Sequence, residues 1–312
     1  MAPPRAACEG VVLAAGDDGA RAALAPLEPA GARFGASLES ARALVAGTSQ
    51  SAAGFRMEVQ ARREAARRVM PVVCIEDFPG NYRDVEGAPT RLLVVEGKFC
   101  SALYRERLGA KAPPMAVLPP ARYDALRTRA RNPGSAGPPW RVLWAGQPET
   151  DACLATLRGI APFLRSSEVE LLFRAHPRDA GHPRAYEELS LRFTDVTALP
   201  LEDLYRAPLD LVVTQFSSIA VEAGFLGVPS VHVLFPEAGA KLLEAQKGYR
   251  LPMACEFGAA FHVGSPQSLD VLEQALHDTP ARRAVISRFR ELYRADTPQA
   301  AKLARHLAGI IA

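Results

Sequence analysis

The sequence lacks the features that would assign it to several large protein classes. Its 312 residues carry a formal net charge of only +3, which gives no reason to expect a nucleic-acid partner. It has no apolar run near the roughly 18 residues of a membrane span. Residues 1–10 lack the charged start and apolar core of a secretion signal. We therefore expect a globular protein of the cytoplasm, with peripheral association at the inner face of the inner membrane as an option.

Cysteine and the common nucleotide-binding motifs are also scarce. The five cysteines are widely spaced and include no CxxC, which disfavours a disulfide scaffold or a zinc site. GxGxxG and GxxxxGK[ST] are both missing, so a dinucleotide fingerprint and a P-loop are disfavoured. No Asp-x-Asp pair lies at a predicted strand end, and we expect no essential metal.

Apolar strand patterns alternate with helical patterns along the chain. This order predicts an α/β protein with parallel sheets flanked by helices. In the first half the predicted strands are 11–16, 32–37, 71–78, 91–97 and a short one from 114, and predicted helices include 38–45, 57–69 and 98–109. In the second half the predicted strands are 140–147, 169–178, 210–218 and 229–235, and predicted helices include 151–165, 185–193 and 219–227.

A short segment divides the two halves. Six of the nine residues in 131–139 are Pro, Gly or Ser, which is typical of a linker. The sequence therefore predicts two Rossmann-like domains, 1–130 and 140–285, that face each other across a cleft. The terminal helices, 286–312, are predicted to cross back and pack on the first domain.

Ligands of such sheets bind outside the carboxyl ends of the strands, so polar residues there are candidate ligands. Adjacent hydroxyls at a helix start can bind an anion or merely cap the helix. A strand-end histidine and arginine can meet phosphate, or the histidine can be structural. A helix glutamate can accept hydrogen bonds from ribose or lie on the surface. The candidate nucleotide- and phosphate-binding residues are Gly146, Gln147, His176, Pro177, Arg178, Gln215, Ser217, Ser218 and Glu222.

Two acidic pairs in the first half compete for the role of general base. Asp17-Asp18 follows the first strand, whereas Glu76-Asp77 ends the 71–78 strand, and we favour the second pair slightly. Transfer of a group to a hydroxyl needs such a carboxylate to take the proton. Either pair can instead be an exposed turn. Residues expected to line the acceptor side are Thr48, Ser49, Asn81 and Tyr82.

The sequence LLFRAHPR, followed about thirty residues later by DLVVTQFSSIAVEAGFLGVPSV, resembles the nucleotide-binding half of GT-B glycosyltransferases. The nearest types are bacterial capsule and lipopolysaccharide enzymes: polysialyltransferase-like proteins, CDP-glycerol polymerases and nucleotide-sugar 2-epimerases. The resemblance implies that His176-Pro177 and Ser217-Ser218 contact the donor nucleotide and its phosphates, and that Glu222 meets ribose. GDDG at 16–19 matches an acidic motif of sialyltransferase-like families more literally than IEDFPG at 75–80.

The resemblance implies a metal-independent glycosyltransferase. Its donor would be a nucleotide-activated sugar, with no other cofactor, and its acceptor a hydroxyl of a surface polysaccharide, a glycoconjugate or a lipid-linked glycan. One alternative is a nucleotide-sugar 2-epimerase on the same fold. The other is a non-catalytic nucleotide-sugar-binding partner in polysaccharide assembly. The donor base, the acceptor and the oligomeric state are left open by the sequence.

Overall fold

A computed structural model describes residues 7–35 and 37–311. Residues 1–6, 36 and 312 lie outside the described residues. They include most of the segment examined for a secretion signal and one residue of the predicted strand 32–37. None of the described helices combines the length and hydropathy needed to cross a membrane.

The described residues form two compact units. The first unit comprises the residues before Leu126 together with those after Ala295, and the second comprises Leu126–Ala295. The chain therefore enters the second unit a few residues before the predicted linker.

The first unit contains a six-stranded parallel sheet in the order β2-β1-β3-β4-β5-β6. Every residue of its central strands is buried because helices cover both faces. The strands are β1 (Val11–Ala14), β2 (Arg33–Phe34), β3 (Ala43–Ala46), β4 (Val72–Ile75), β5 (Leu92–Val95) and β6 (Met115–Val117). The helices are α1 (Asp18–Leu24), α2 (Ala52–Arg67), α3 (Lys98–Leu108) and α4 (Asp124–Arg127), the last of which spans the boundary.

The prediction of a helix at 38–45 is wrong. Residues 43–46 form β3, which lies in the middle of the sheet between β1 and β4. Alanine, leucine, glutamate and arginine favour a helix locally, but the propensity is worth less than about 1 kcal/mol per residue. Complete burial of Ala43, Leu44 and Val45 between two strands outweighs it.

The second unit contains another six-stranded parallel sheet, in the order β12-β11-β10-β7-β8-β9. Its strands are β7 (Trp140–Ala145), β8 (Val169–Arg174), β9 (Thr194–Asp195), β10 (Leu211–Thr214), β11 (Ser230–Val233) and β12 (Phe261–Val263). Its helices are α5 (Thr150–Leu164), α6 (Arg184–Glu187), α7 (Leu201–Arg206), α8 (Ile219–Phe225), α9 (Lys241–Lys247), α10 (Met253–Glu256), α11 (Asp270–His277) and α12 (Thr279–Leu292). The predicted helix 185–193 is helical only as α6, and the edge strands β9 and β12 are additions to the predicted sheet.

The segment predicted as a linker, 131–139, is bound to the second unit. The side chain of Asn132 donates to the backbone oxygens of Tyr205 and Ala207, at 2.9 and 2.8 Å. The carboxylate of Asp210 accepts from the Ser135 amide at 2.9 Å and the Ser135 hydroxyl at 2.5 Å. Composition predicted a loop correctly, but the buried Asp210 collects these donors and fixes the loop in place.

The terminal helices divide differently from the prediction. Helix α12 belongs to the second unit, where the ring of Phe289 packs on Gly224 of α8. The last helix, α13 (Ala300–Ile311), belongs to the first unit, where Leu303 and Leu307 enter the core. The return to the first unit therefore begins at residue 296 rather than at residue 286.

Two glycines allow the loop after β1 to pack directly on the first turn of α2. A β-carbon on Gly16 would lie 2.2 Å from the Gly54 carbonyl oxygen, and one on Gly54 would lie 2.6 Å from that of Gly16. Backbone atoms on both sides leave no flexible side chain to move aside. This contact fixes the carboxyl end of β1 against α2.

Gly16→Ala should lower the free energy of unfolding by about 1–3 kcal/mol, because the added methyl group overpacks this backbone contact. Urea denaturation of the full chain measures the change. The matched control is Gly137→Ala, whose β-carbon would have no atom within 4 Å. Equal stability of the two variants would contradict the packing described for Gly16.

Candidate functional site

Each sheet has a switch point, where the connections that follow two neighbouring strands lead toward opposite edges of the sheet. In the first unit β1 lies between β2 and β3, and in the second unit β7 lies between β8 and β10. The carboxyl ends of strands at such a point form a crevice that binds ligands in open α/β sheets. Most of the predicted site residues follow β1, β3 and β4 in the first unit, or β8, β7 and β10 in the second.

Asp77 lies at the centre of the polar cluster in the first unit. Its Oδ1 accepts from the Thr48 hydroxyl at 2.5 Å and from the Asn81 amide at 2.8 Å. The Asp77 amide donates in turn to the Thr48 hydroxyl oxygen at 3.0 Å. Thr48 follows β3 and Asn81 lies in the turn after β4, so two loops orient this buried carboxylate.

The two acidic pairs that compete in the sequence meet around Gly19. A β-carbon on Gly19 would lie 2.8 Å from Asp77 Oδ2 and 3.6 Å from Asp17 Oδ1. Asp17 caps α1 through the Ala20 amide at 3.0 Å and also accepts from the Ser51 amide at 3.2 Å. The structure thus brings together one carboxylate from each pair, whereas Asp18 is exposed on α1.

Ser49 faces a buried acid that the sequence analysis missed. Its hydroxyl donates to Glu58 Oε1 at 2.5 Å, and its amide donates to both oxygens of that carboxylate, at 3.1 and 3.0 Å. Burial raises the pKa of Glu58, and the bonds from Ser49 oppose that rise. Glu58 lies on the buried side of α2, together with Gly54, Arg62 and Ala65. The spacing of three or four residues between these positions places them on one helix face, and this spacing could have indicated that Glu58 is buried.

Glu76 lies apart from this cluster, in a small pocket at the carboxyl ends of β4 and β5. Its Oε1 accepts from the Tyr104 hydroxyl and from the Gly80 amide, and Oε2 is also buried. Burial raises the pKa of Glu76 to about 7. Glu96 and Arg122 line the same cavity of about 20 Å³, and burial raises the pKa of Glu96 to about 8.

The structure does not place the Tyr82 side chain on the acceptor side. Its hydroxyl donates to Thr90 at 3.0 Å, and its ring packs edge-on against Tyr104 with 1% of the residue exposed. The aromatic ring therefore serves the core beneath the turn. Arg62 also lies here, because it donates to Thr90 and to backbone oxygens rather than facing solvent.

In the second unit, Gly146 and His176 meet where β7 and β8 end. The Gly146 amide donates to the Arg174 carbonyl at 2.9 Å, and a β-carbon on Gly146 would lie 3.5 Å from the His176 amide nitrogen. The Arg178 amide donates to His176 Nδ1 at 3.1 Å, so the neutral ring carries its proton on Nε2. Burial, helped by Arg178, lowers the pKa of His176, which leaves a neutral Nε2–H donor.

The two serines differ in what they already bind. The Ser217 hydroxyl accepts from the Ile219 amide at 3.3 Å, and the Ser217 amide donates to the Thr214 hydroxyl oxygen at 3.2 Å. Thr214 donates to the Ala145 carbonyl at 2.6 Å, which ties this loop to the end of β7. The Ser218 side chain makes no capping bond to α8. Its hydroxyl is half-buried and available to a ligand.

Gln147 and Gln215 behave differently although both are buried. The Gln215 amide nitrogen donates to the Ala152 carbonyl at 3.0 Å and to the Thr156 hydroxyl at 2.8 Å, so its side chain anchors β10 to α5. The structure therefore does not place the Gln215 side chain as a ligand-binding group. Gln147 Nε2, in contrast, is buried without a partner among the described residues.

The remaining candidates surround the same strand ends. The Glu222 Oε2 accepts from the Tyr205 hydroxyl at 2.9 Å, so a buried tyrosine that sequence reasoning missed positions this carboxylate. Pro177 and Arg178 are exposed beyond the end of β8. The adjacent Asp179 is buried and accepts from the hydroxyls of Thr150 and Tyr186, which fixes the loop that carries His176.

Comparison with solved structures identifies the architecture. The spinosyn rhamnosyltransferase SpnG aligns with a TM-score of 0.53 at 17% identity, over 93% of this chain and 79% of that chain. The UDP-GlcNAc 2-epimerase from Neisseria meningitidis, solved with UDP-GlcNAc, aligns with a TM-score of 0.53 at 12% identity, over 86% and 76%. The wall teichoic acid polymerase TagF aligns with a TM-score of 0.50 at 10% identity, over 98% and 88%.

This chain has the GT-B fold. Its two parallel six-stranded sheets, each flanked by helices, confirm the predicted fold class. Scans against protein-family models and against curated proteins gave no match. At these identities the likeness is one of fold, and the roles of individual residues must come from their own geometry.

Within the GT-B fold of this chain, the first unit presents carboxylates and the second presents neutral donors. Asp17 and Asp77 carry the acidic character of the β1–β3–β4 edge, and an imidazole N–H and serine hydroxyls line the β8–β7–β10 edge. Carboxylates suit proton removal from a hydroxyl, and neutral or cationic N–H and O–H donors suit phosphate oxygens. The two edges therefore offer complementary chemistry.

The raised pKa of Glu76 predicts a pH-dependent stability. In the folded chain this acid keeps its proton up to about pH 7, whereas the unfolded chain releases it near its usual pKa of 4.5. The folded state thus holds more protons in this window, and the free energy of unfolding falls as pH rises through it, by on the order of 3 kcal/mol. Glu76→Gln should make the profile between pH 5 and pH 7 shallower by this amount and leave the slope that Glu96 contributes, as measured by urea denaturation.

Glu106→Gln provides the matched control for this pH profile. Glu106 is exposed near the end of α3, so its replacement should keep the slope of the unchanged protein. A Glu76→Gln profile as steep as that of the control would show that Glu76 does not hold a proton in the folded state.

Proposed function

We propose that the protein is a glycosyltransferase that moves a sugar from a nucleotide-activated donor to an acceptor hydroxyl. The supporting observation is the convergence of Gly146, His176, Ser217 and Ser218 at the switch point of the second sheet. The His176 imidazole and the hydroxyls of Ser217 and Ser218 are hydrogen-bond donors, and Gly146 adds a position where the backbone can approach a ligand closely. Such a set suits the phosphates of a nucleotide.

In this proposal the second unit binds the donor. The His176 Nε2–H and the Ser218 hydroxyl donate to phosphate oxygens, and the absence of a side chain at Gly146 lets the backbone approach them. Glu222, held by Tyr205, accepts from the ribose hydroxyls. The unpaired Gln147 amide gains a partner from the nucleotide, which would offset the cost of about 1–3 kcal/mol for a buried unpaired donor.

In the same proposal the first unit supplies the base. The acceptor oxygen attacks the anomeric carbon, its proton passes to Asp77, and the bond from that carbon to the donor phosphate breaks. The electron pair of the broken bond leaves with the nucleotide, whose growing charge the His176 and Ser218 donors stabilise. Thr48 and Asn81 orient Asp77 from the Oδ1 side. Asp17, whose Oδ1 lies near the same position on Gly19, is the second carboxylate of the site.

The acceptor that we propose is a surface-polysaccharide, glycoconjugate or lipid-linked hydroxyl, as expected from the resemblance. The reaction is proposed to need no divalent metal, since the donors for the leaving phosphate come from the chain itself. Addition of EDTA should then leave the rate of transfer unchanged. A loss of rate that Mg²⁺ or Mn²⁺ restores would refute this part of the proposal.

Nucleotide binding provides the first test. Among CMP, CDP, UDP and GDP, we expect one to raise the Tm selectively, because it binds only the folded chain. Ser218→Ala should weaken that nucleotide by roughly tenfold, since it removes one hydrogen bond to a charged group. Its Tm without nucleotide should be unchanged, because Ser218 makes no capping bond.

Ser287→Ala on the exposed surface of α12 is the control for this test. It should bind nucleotide like the unchanged protein. No thermal response to any of the four nucleotides, or equal affinities of the two serine variants, would overturn the proposed donor site.

Catalysis provides the second test. Asp77→Asn keeps the shape and the acceptor at Oδ1 but removes the base, so the rate of sugar transfer should fall by about 100-fold or more. The nucleotide affinity should not change. Asp18→Asn, at an exposed position on α1, should retain the activity of the unchanged protein. Release of the free nucleotide, followed with a panel of acceptors, measures the rate.

The outcomes also separate the two alternative functions. Epimerised sugar from UDP-GlcNAc without any acceptor would favour a 2-epimerase. A non-catalytic binding partner would be favoured by a different result. The protein would bind nucleotide, and full biological function would be kept in each single alanine variant of Asp17, Asp18, Glu76 and Asp77. Either result would replace the transferase proposal.

A further inference from the structure

One crossover of the first sheet lacks the helix that normally accompanies it. Parallel strands are usually joined by a dozen or more residues that include a helix, which covers one face of the sheet. The connection from β2 to β3 is only residues 35–42. Its described residues, 35 and 37–42, contain a turn but no helix. The space beside α2 where such a helix would pack is therefore left open, although the β1 residues themselves stay buried.

An open groove of about 680 Å³ occupies that place. Its floor includes Ala14, Ala15 and Ala61, whose small side chains leave the space free, and Met57 on its wall is 42% exposed. The groove follows α2 from Met57 to Arg67, a length of roughly 15 Å at 1.5 Å per helical residue. Its volume is typical of a small-molecule site. It is too small for another helix with side chains, which is about 10 Å across.

A single positioned cation stands at one end of this groove. The Arg21 guanidinium lies over the Phe34 ring, 4.2 Å from its centroid, which restrains its direction. Arg21 has no carboxylate partner within the described part of the chain. Arg67, at the other end, is already paired with Glu64 at 3.1 Å. The free positive charge therefore lies at the Arg21 end, close to β1.

This end of the groove is also the end nearest the carboxylates. Ala14 and Ala15 of the floor are followed directly by Gly16 and Asp17. A ligand lying in the groove would thus place one end at the charged Arg21, beside the loop that carries Asp17. An apolar tail would extend away from that loop along α2.

We propose that this groove binds the apolar chain of an amphiphilic acceptor, whose anionic group pairs with Arg21. The assignment of the ligand as the acceptor rests on the proposed function, whereas binding of the amphiphile does not. The chemistry expected is an unbranched or isoprenoid-like chain attached to a phosphate. A slender chain suits the length, the alanine floor and the single free cation of this groove.

Calorimetric titration of the full chain with butyl, octyl and dodecyl phosphate, each below its micelle concentration, tests the proposal. Affinity should rise roughly fourfold for each methylene that enters the groove and level off when the groove is full. Ala61→Phe fills the floor and should weaken dodecyl phosphate at least tenfold. Arg21→Gln should weaken all three alkyl phosphates by about tenfold, because it removes a charged partner.

Two control variants lie on the exposed surface of α2 outside the groove. Ala53→Phe and Arg56→Gln repeat the same chemical changes there and should bind like the unchanged protein. Nucleotide binding is measured separately by the change in Tm, so failure of this titration and failure of the donor site are distinguishable. Three results would overturn the proposal. The affinity could be independent of chain length, or Ala61→Phe and Ala53→Phe could bind dodecyl phosphate equally. The protein could also bind anionic vesicles but not monomeric alkyl phosphates.

Discussion

The direction of the strands is the constraint on which the rest of this structure depends. All strands in each sheet are parallel, so every carboxyl end of a sheet lies along one edge, and the loops that follow them meet there. At β1 and at β7 the connections turn to opposite sides, which opens a crevice that side chains from neighbouring loops share. Asp17 and Asp77, sixty residues apart, approach the same glycine for this reason. His176 and Gly146 meet at β7 and β8 in the same way.

Burial then separates acids that look equivalent in the sequence. Glu76 and Asp77 are neighbours, but consecutive residues after a strand point in different directions. Glu76 enters a small pocket with Glu96, where lost hydration raises the pKa of both acids. Asp77 instead receives hydrogen bonds from Thr48 and Asn81. One member of the pair thus accepts from the Gly80 amide of the turn, and the other belongs to the polar edge.

The fold could be predicted from the sequence because its strongest signals are local. The α/β class and the two sheets could be predicted from the alternation of strands with helices and from long apolar strands such as β7 and β8. The helix predicted in place of β3 shows where local signals fail. Ala43–Ala46 has a helical composition and forms a strand because it pairs with β1 and β4. The edge strand β9 is two residues long and has no periodicity to detect.

The sequence predicted which residues follow the strands better than it predicted where their side chains point. Asp77, His176 and Ser217 became candidates because the carboxyl edge of a parallel sheet is where ligands bind. The direction of each side chain depends on contacts between distant residues, as when Gln215 turns inward to Thr156. Tyr82 and Glu58 show the same difficulty, since hydrogen bonds to Thr90 and Ser49 hold them inside.

The short connection from β2 to β3 has a consequence for how such a chain can diversify. The described residues of this eight-residue connection form no helix, so the connection can change in length at little cost, because longer loops add little closure entropy. Each added turn would cover more of the open groove beside α2, while Asp77 and its partners, held by other loops, would keep their positions. Insertions and deletions in this one connection could therefore yield descendants with new selectivity and unaltered chemistry.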